Sequence, residues 1–294
     1  MLLAAGFGTR LRPYTLHRPK PLFPVLNKSL LIRLLDMLVQ AGCERIVVNC
    51  HHLADQIEAA VADRAEVIVQ HEPEILGTGG CLRKALPLFS DGPVLVMNGD
   101  IFHDIDPGQL MTRHVAAGLP VSMAMHDYKR FNSVFVRNDK ILGFSSLSTL
   151  SEQQGLLAFT GIHVVHTDVI RKIPKGRFFH IIDLYAELGT AGQVGSLRVD
   201  GCFWRDIGTP GDYFELHREL LCDRTHEKKS QSWRISEKAA VADSVVLRDW
   251  GVIGPEVIIG ENVELTRCIV WDKVVIPPGQ RLKDRIVCCE LPGF

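Results

Sequence analysis

The residues best placed to do chemistry open the chain. Leu3-Ala4-Ala5-Gly6-Phe7-Gly8-Thr9-Arg10 sets a glycine-rich turn after a short apolar run, and Arg12, His17, Arg18 and Lys20 follow among Pro13, Pro19 and Pro21. Successive backbone N–H groups in such a turn can converge on phosphate oxygens. The two commonest phosphate loops do not fit: a dinucleotide fingerprint needs a small residue where Leu11 stands, and a P-loop needs Gly-Lys-Ser/Thr. Two carboxylates stand out further on. Asp100 ends the strand-like run "GPVLVMNGD", where α/β sheets present ligands, and Asp206 lies in "WRDIGTP". From the residues alone each reads equally as a turn-forming aspartate. His51-His52 and the pair His163 and His166 invite metal, but residues three apart on a strand face opposite sides, and both pairs read as structural.

Strands and helices must hold these groups in place. Short apolar runs alternate with helix-period segments through the first two-thirds, the signature of strand–helix–strand units and a mostly parallel sheet. "LLIRLLDMLVQAG" has helical spacing with a glycine stop, "RIVVNC" follows as a buried strand, and "GGCLRKALPLF" reads as a further helix. Around Asp127–Gln154 charged turns and a serine-rich stretch predict an insertion covering one edge. Near residue 232 the rule changes: Ile235, Val241, Leu247, Ile253, Ile259, Leu265 and Trp271 recur every sixth residue, with small or β-branched residues four further on, Gly251, Val257, Val263 and Val275 among them. This is the hexapeptide period of a parallel β-helix, enough for about two to three coils of about three hexads each. The reading divides the chain into a domain at 1–221, a charged linker at 222–232 and a short hexapeptide domain at 233–294.

The 294 residues, 46% of them apolar, suffice to bury a full core. Lys+Arg 33 against Asp+Glu 34 leaves no global field of the kind non-specific nucleic-acid binding relies on, so the basic opening is a local feature. No apolar run approaches the ~18–20 residues that cross a bilayer, and no signal peptide opens the chain, so a cytoplasmic protein with no membrane partner is expected. The eight cysteines show no CxxC pairing and are expected as buried, reduced thiols.

With these segments in view, "LAAGFGTRLRPYT…RPKPLFPV" resembles the signature of the sugar-1-phosphate nucleotidyltransferases, which join an NTP to a sugar 1-phosphate and release pyrophosphate. "EPEILGTGG", "VLVMNGD", "FTGIHVV" and "FWRDIGTPGDY" match that family in the expected order, so the resemblance spans nearly the whole first domain. It implies a Rossmann-like α/β fold with a mixed, mostly parallel sheet and flanking helices, followed by a short left-handed parallel β-helix. It implies that Arg10 reaches the β- and γ-phosphates and that Lys20 bridges the α-phosphate and the incoming sugar phosphate, both as catalytic cations. Asp100 and Asp206 match the family's pair of Mg²⁺-holding carboxylates. Leu3, Ala4, Ala5, Gly6, Gly8, Thr9, Gln70, Glu72, Gly77 and Thr78 fall at nucleotide-binding positions, and Gly161 and Asp183 at sugar-binding ones. Gln70 matches the uracil or thymine reader of one subgroup, while Glu72 matches guanylyltransferase-like members. The substrate is accordingly UTP or GTP with N-acetylmuramate, mannose or a related sugar 1-phosphate. The remaining basic residues, Arg12, His17 and Arg18, read as solvated loop charges.

The chain departs from the family in two places. Many relatives carry Glu-Lys-Pro after "I-x-G-F", the lysine touching the sugar phosphate; here Gly143-Phe144 runs into Ser145-Ser146-Leu147-Ser148, leaving Lys140, Lys129 or Arg130 as substitutes. Relatives also usually have three or four more residues before "LAAG", which places Met1 inside a central strand and predicts a stability penalty relative to a longer chain. Two competing readings are a catalytically inactive regulatory or scaffolding homologue, disfavoured because both cations and both carboxylates are present, and an acyltransferase built on the hexapeptide domain, which lacks any histidine after His226. Packing or homo-oligomerisation is the expected use of that domain.

Overall fold

The computed structural model describes residues 1–145, 155–223 and 232–288. Most of the charged stretch read as a linker lies outside them, as do Ser146 to Ser148 and the tail beyond 288. The chain forms two compact units: Met1–Phe7 with Leu31–Trp204, and Gly8–Leu30 with everything from Arg205 onward. Compactness thus places most of the opening motif together with the hexapeptide segment, a grouping that a boundary near 221–232 does not announce.

The first unit is built on one nine-stranded sheet. Its strands in chain order are β1 (Leu2–Leu3), β2 (Ile46–Cys50), β3 (Val67–His71), β4 (Pro93–Asn98), β5 (Val121–His126), β6 (Val134–Arg137), β7 (Lys140–Phe144), β8 (Leu156–His166) and β9 (Val194–Arg198). Their spatial order is β3-β2-β1-β4-β8-β5-β9-β7-β6. The first four are parallel, β8 runs antiparallel between β4 and β5, and β7 is antiparallel to β9 and β6. The expected mixed sheet is therefore present, with four parallel and four antiparallel pairs between neighbours in this order rather than a parallel majority. β2 is buried at every position, as a parallel strand covered on both faces must be, whereas edge strand β3 is mostly half-buried. The predicted insertion is partly a hairpin: β6 and β7 are joined by Asn138-Asp139, both at positive φ, and they extend the sheet at one edge.

The flanking helices obey local rules. In α1 (Leu30–Gln40), Leu31, Leu34, Leu35 and Leu38 form the buried stripe, and their burial is worth about 1.5–3 kcal/mol each. The next two helices are α2 (Ala54–Val61) and α3 (Gly77–Ala85). α4 (Pro107–Ala117) starts where the Asp106 side chain accepts from Gly108 and Gln109 N–H, and stops at Gly118. α5 (Thr167–Arg171) and α6 (Ile181–Thr190) complete the unit.

The second unit holds three single turns, Thr9–Leu11, Tyr14–Leu16 and Lys20–Leu22, a small hairpin pairing Pro24–Val25 with Lys28–Ser29, helix α7 (Pro210–Arg218) and two all-parallel stacks. One stack is β10 (Trp233–Ile235), β12 (Val246–Ile253), β14 (Glu264–Val270) and β16 (Arg281–Val287); the other is β11 (Ala240–Val241), β13 (Ile258–Ile259) and β15 (Val275–Ile276). Val246 pairs with Glu264 but Glu264 with Arg281, so one turn takes 18 residues and the next 17. The shortened turn shifts the hexad phase by one. Val275, expected in the inward stripe, is 39% exposed, while Val274 and Ile276 are buried beside Val257 and Val263.

Two buried histidines in the first unit give stability a pH dependence. Burial pushes the His103 imidazole down to about 4, against a small upward pull from Asp104, and the His163 imidazole down to about 3 from 6.5. Among the described residues neither ring nitrogen of His163 has a hydrogen-bond partner. Both groups are neutral when folded and bind protons on unfolding below pH 6.5, so stability is full above that pH and declines as pH falls, by up to about 1.4 kcal/mol per unit for each histidine, levelling off below pH 3–4. Urea titrations between pH 7 and 4 are expected to show this slope, and His163→Phe to reduce it by one proton.

Candidate functional site

In the first unit the relevant residues line up along the carboxyl ends of the parallel strands. Gln70 pairs with Asn49, Asn49 with Leu3, and Leu3 with Asn98, so four adjacent strands end in one row. β8 extends that row through Gly161. This glycine has φ +79°, and a Cβ there would lie 2.6 Å from Asn98 Nδ2 and 2.7 Å from Ile101 Cδ1, so the backbone passes where no side chain fits. Asp100 follows at the end of β4, two residues beyond Asn98, with the intervening Gly99 N–H donating to Leu3 O at 2.8 Å. Parallel-sheet carboxyl ends are where α/β folds present ligands.

A buried polar chain ties this row together, and its centre is a residue the sequence reading missed. Asn49 Oδ1 accepts from Ala4 N–H at 2.8 Å, and Asn49 Nδ2 donates to Glu72 Oε1 at 2.7 Å. The other carboxylate oxygen of Glu72 accepts from Leu76 N–H at 3.0 Å, and the Glu72 side chain is fully buried. His51 Nδ1 meets Glu72 O at 2.7 Å, and Phe7 stands edge-on to the His51 ring. Gln70 Nε2 donates to Cys81 O at 3.1 Å. The signal for Asn49 was available as a polar residue inside the otherwise apolar "RIVVNC".

The Gly77-Thr78-Gly79-Gly80 segment opens α3 by gripping the chain ahead of α6. Gly79 and Gly80 N–H both donate to Phe179 O, Phe179 N–H donates to Leu76 O, and Thr78 Oγ1 accepts from Ile181 N–H at 3.1 Å. Thr78 therefore has its hydroxyl in a fold-holding bond, and Asp183 is brought in on the first turn of α6 with its side chain exposed. Of the lysine substitutes, Lys140 donates from Nζ to Gly192 O at 3.0 Å, and the Arg130 guanidinium lies 5.0 Å from the Phe131 ring centroid.

In the second unit three of the expected residues meet directly. Lys20 Nζ lies 3.3 Å from Asp206 Oδ1, and Arg10 Nη2 lies 4.0 Å from Asp206 Oδ2. The Lys20 side chain is 8% exposed and the Arg10 side chain 66%, so one cation is fixed and the other reaches into solvent. The sequence "RDIGTP" explains the close approach: a Cβ on Gly208 would lie 2.5 Å from Asp206 Oδ2 and 2.8 Å from Arg10 Nη2. Thr209 then caps α7 by accepting from Asp212 N–H, with Pro210 at the first helical position. Gly8 O accepts from Leu11 N–H and from Thr15 Oγ1, closing the turn that carries Thr9 and Arg10.

One expectation is corrected. Arg12 and His17 are exposed, but Arg18 is not a solvated loop charge: it forms a two-pronged bond to Asp272, 2.7 and 2.9 Å, in the hexapeptide segment. Among the described residues no cluster of three or more His, Cys, Asp or Glu could enclose a metal by itself, and no helix is long and apolar enough to cross a membrane. Magnesium asks for less, since one or two carboxylates plus substrate phosphates satisfy it, and Asp206, half-buried with its carboxylate facing two cations, fits such a partial donor set.

Comparison with known proteins agrees with this geometry. Residues 1–133 match the family described as nucleotidyl transferase. The chain is 26% identical to a mannose-1-phosphate guanylyltransferase of Mycobacterium tuberculosis, over 95% of this chain and 81% of that protein. In fold it is similar to HddC from Yersinia pseudotuberculosis, solved with GMP-PN, at a TM-score of 0.61 and 23% identity over 74% of this chain and 97% of that one. It is also 31% identical to the N-acetylmuramate alpha-1-phosphate uridylyltransferase of Caulobacter vibrioides, over 71% of this chain and 91% of the relative. A match that runs through nine-tenths of an enzyme is more than a shared loop, and the chain belongs to the sugar-1-phosphate nucleotidyltransferase family, as an enzyme of that type.

Proposed function

We propose that the protein carries out Mg²⁺-assisted in-line transfer of a nucleotidyl group from UTP or GTP to N-acetylmuramate, mannose or a related sugar 1-phosphate. The observation that carries this reading is the Arg10–Asp206–Lys20 cluster. An oxygen of the sugar phosphate attacks the α-phosphorus, the bond to the bridging oxygen breaks, and pyrophosphate departs with the electron pair. No protein nucleophile is required; the protein positions two polyanions and offsets their charge.

The difference in burial between the two cations supports different tasks. A charge that stabilises a transition state acts best when its position is set beforehand, which suits the fixed Lys20 to the α-phosphate and the attacking phosphate. Arg10, exposed and fork-shaped, suits the β- and γ-phosphates that leave. Before substrate arrives Asp206 balances both cations, and phosphates take over that balance on binding. Asp100 and Asp206 are the carboxylates that would hold Mg²⁺, which supplies charge neutralisation at the α-phosphate.

The row of strand ends supports a nucleoside pocket over Leu3, Gln70 and the glycine turn, with Gly161 and Asp183 on the sugar side. Glu72 is better read as the support beneath that pocket than as a group that reads the base, because both its oxygens already accept from protein donors, one buried and one half-buried. The two parallel stacks, with turns of 18 and 17 residues, support a short left-handed β-helix, and an NDP-sugar made in the cytoplasm would serve as a glycosyl donor for envelope polysaccharide.

Two experiments test these assignments. A pyrophosphate-release screen of five NTPs against a panel of sugar 1-phosphates is expected to give turnover with UTP or GTP. In the active combination Lys20→Ala and Asp100→Asn are each expected to lower kcat by about 10²–10³-fold, and near-parental turnover in either refutes its role. Glu72→Ala strands two protein donors and is expected to destabilise the fold by about 2–4 kcal/mol in urea titration, with Glu72→Gln milder; a base-reading role would instead leave stability unchanged and alter the preference between UTP and GTP.

A further inference from the structure

We propose that the hexapeptide segment positions the loop bearing the two cations, and that Arg18 and Asp272 are the positioning residues through which it holds Lys20. The inference rests on Lys20 acting as a catalytic cation. It concerns a single compact unit, since Gly8–Leu30 and the parallel stacks belong together.

Lys20 is gripped on both sides. Two residues before it, Arg18 meets both oxygens of Asp272 and lays its guanidinium 4.8 Å over the Trp271 ring. Both side chains are mostly buried, so the pair is screened less than a surface bridge and its planar fork fixes direction as well as distance. Burial alone would raise the Asp272 carboxyl, but Arg18's hydrogen bond and charge outweigh it and hold the group below its ordinary range. Three residues after Lys20, Phe23 packs edge-on against the same Trp271, ring centroids 4.7 Å apart. Trp271 is itself buried, and its Nε1 donates at 3.1 Å to Tyr213 Oη, which in turn donates to Pro24 O.

The span between the two grips is stiff. Pro19 and Pro21 flank Lys20, and Leu22 N–H to Pro19 O and Phe23 N–H to Lys20 O close the turn. A span this short and hydrogen-bonded passes the placement of its ends to its middle. A third hold lies beyond it, where Asn27 Nδ2 donates to Ile253 O at 2.9 Å. The residues that set Lys20 against Asp206 thus include a tryptophan and an aspartate from the end of the hexapeptide segment.

The test compares Asp272→Asn, Asp272→Glu, Arg18→Lys and Lys20→Ala in the full chain. With the active substrate pair, Asp272→Asn and Arg18→Lys are expected to lower kcat about tenfold while the KM for the NTP moves less than about threefold, and Asp272→Glu to restore most of the loss. Without substrate, amide exchange at Leu22 and Phe23 is expected to quicken at least about tenfold in Asp272→Asn, while β14 exchanges as in the parent. A lower melting temperature with parental kcat and unchanged exchange at Leu22 and Phe23 makes the pair merely structural and overturns the inference. If Lys20→Ala turns over normally, the role of Lys20 falls; if it is inactive while Asp272→Asn matches the parent, only the positioning inference falls.

Discussion

Facing two cations, Lys20 and Arg10, with one carboxylate is the constraint around which this part of the second unit is arranged. Two like charges that face the same carboxylate repel each other, the more weakly where one of them, as Arg10, stands largely in solvent. Asp206 offsets that repulsion by facing Lys20 with one oxygen and Arg10 with the other. The neighbouring sequence follows from this contact. Residue 208 must be glycine for the guanidinium to approach, Thr209 must turn the chain into α7, and Pro210 starts the helix without needing an N–H partner. The separations, 3.3 and 4.0 Å, are longer than those of a tight bidentate pair.

The first unit solves a different problem, that of ending several strands at one level with their polar groups satisfied. Asn49 does this with one side chain, accepting from Ala4 and donating to Glu72, which accepts in turn from Leu76. A carboxylate buried on neutral donors would be costly if any of them were missing. The arrangement fixes the start of the glycine turn relative to the α3 entry.

Much of this was legible in the sequence, and the reasons for success and failure are physical. β2 and α1 were readable because burial imposes an apolar run, broken only by Asn49, and a 3.6-residue stripe on their own residues. The meeting of Arg10, Lys20 and Asp206 was anticipated only through the family resemblance, since nothing local links residues 186 positions apart. Gly161 was anticipated as a sugar-binding position, and the Asn98 side chain against it adds a packing reason for a glycine there. The six-residue spacing announced the parallel stacks but not their phase, because the register slips by one residue between Arg248 and Gly251 and Val275, paired with Ile258, is left 39% exposed. Asn49 escaped because a polar residue in a strand carries no label saying which neighbour it will satisfy, and the support that Glu72 gives to Asn49 and Leu76 escaped with it.

Arg18 was misread for the most general reason. A basic residue in a proline-rich loop is ordinarily solvated, and its partner lies 254 positions away. Such a distance in sequence is a poor guide to cost: loop-closure entropy grows only with the logarithm of length, about 0.6 kcal/mol for each doubling. Once the parallel stacks and α7 have folded, Trp271 and Asp272 stand at fixed places and the basic loop closes onto them at little further expense. The Phe23 and Tyr14 rings against Trp271 bury apolar surface, while the Arg18 fork supplies direction that apolar contact lacks. Apolar packing alone would keep the loop close but let it slide; the charged fork removes that freedom, and the cation two residues further along inherits the precision.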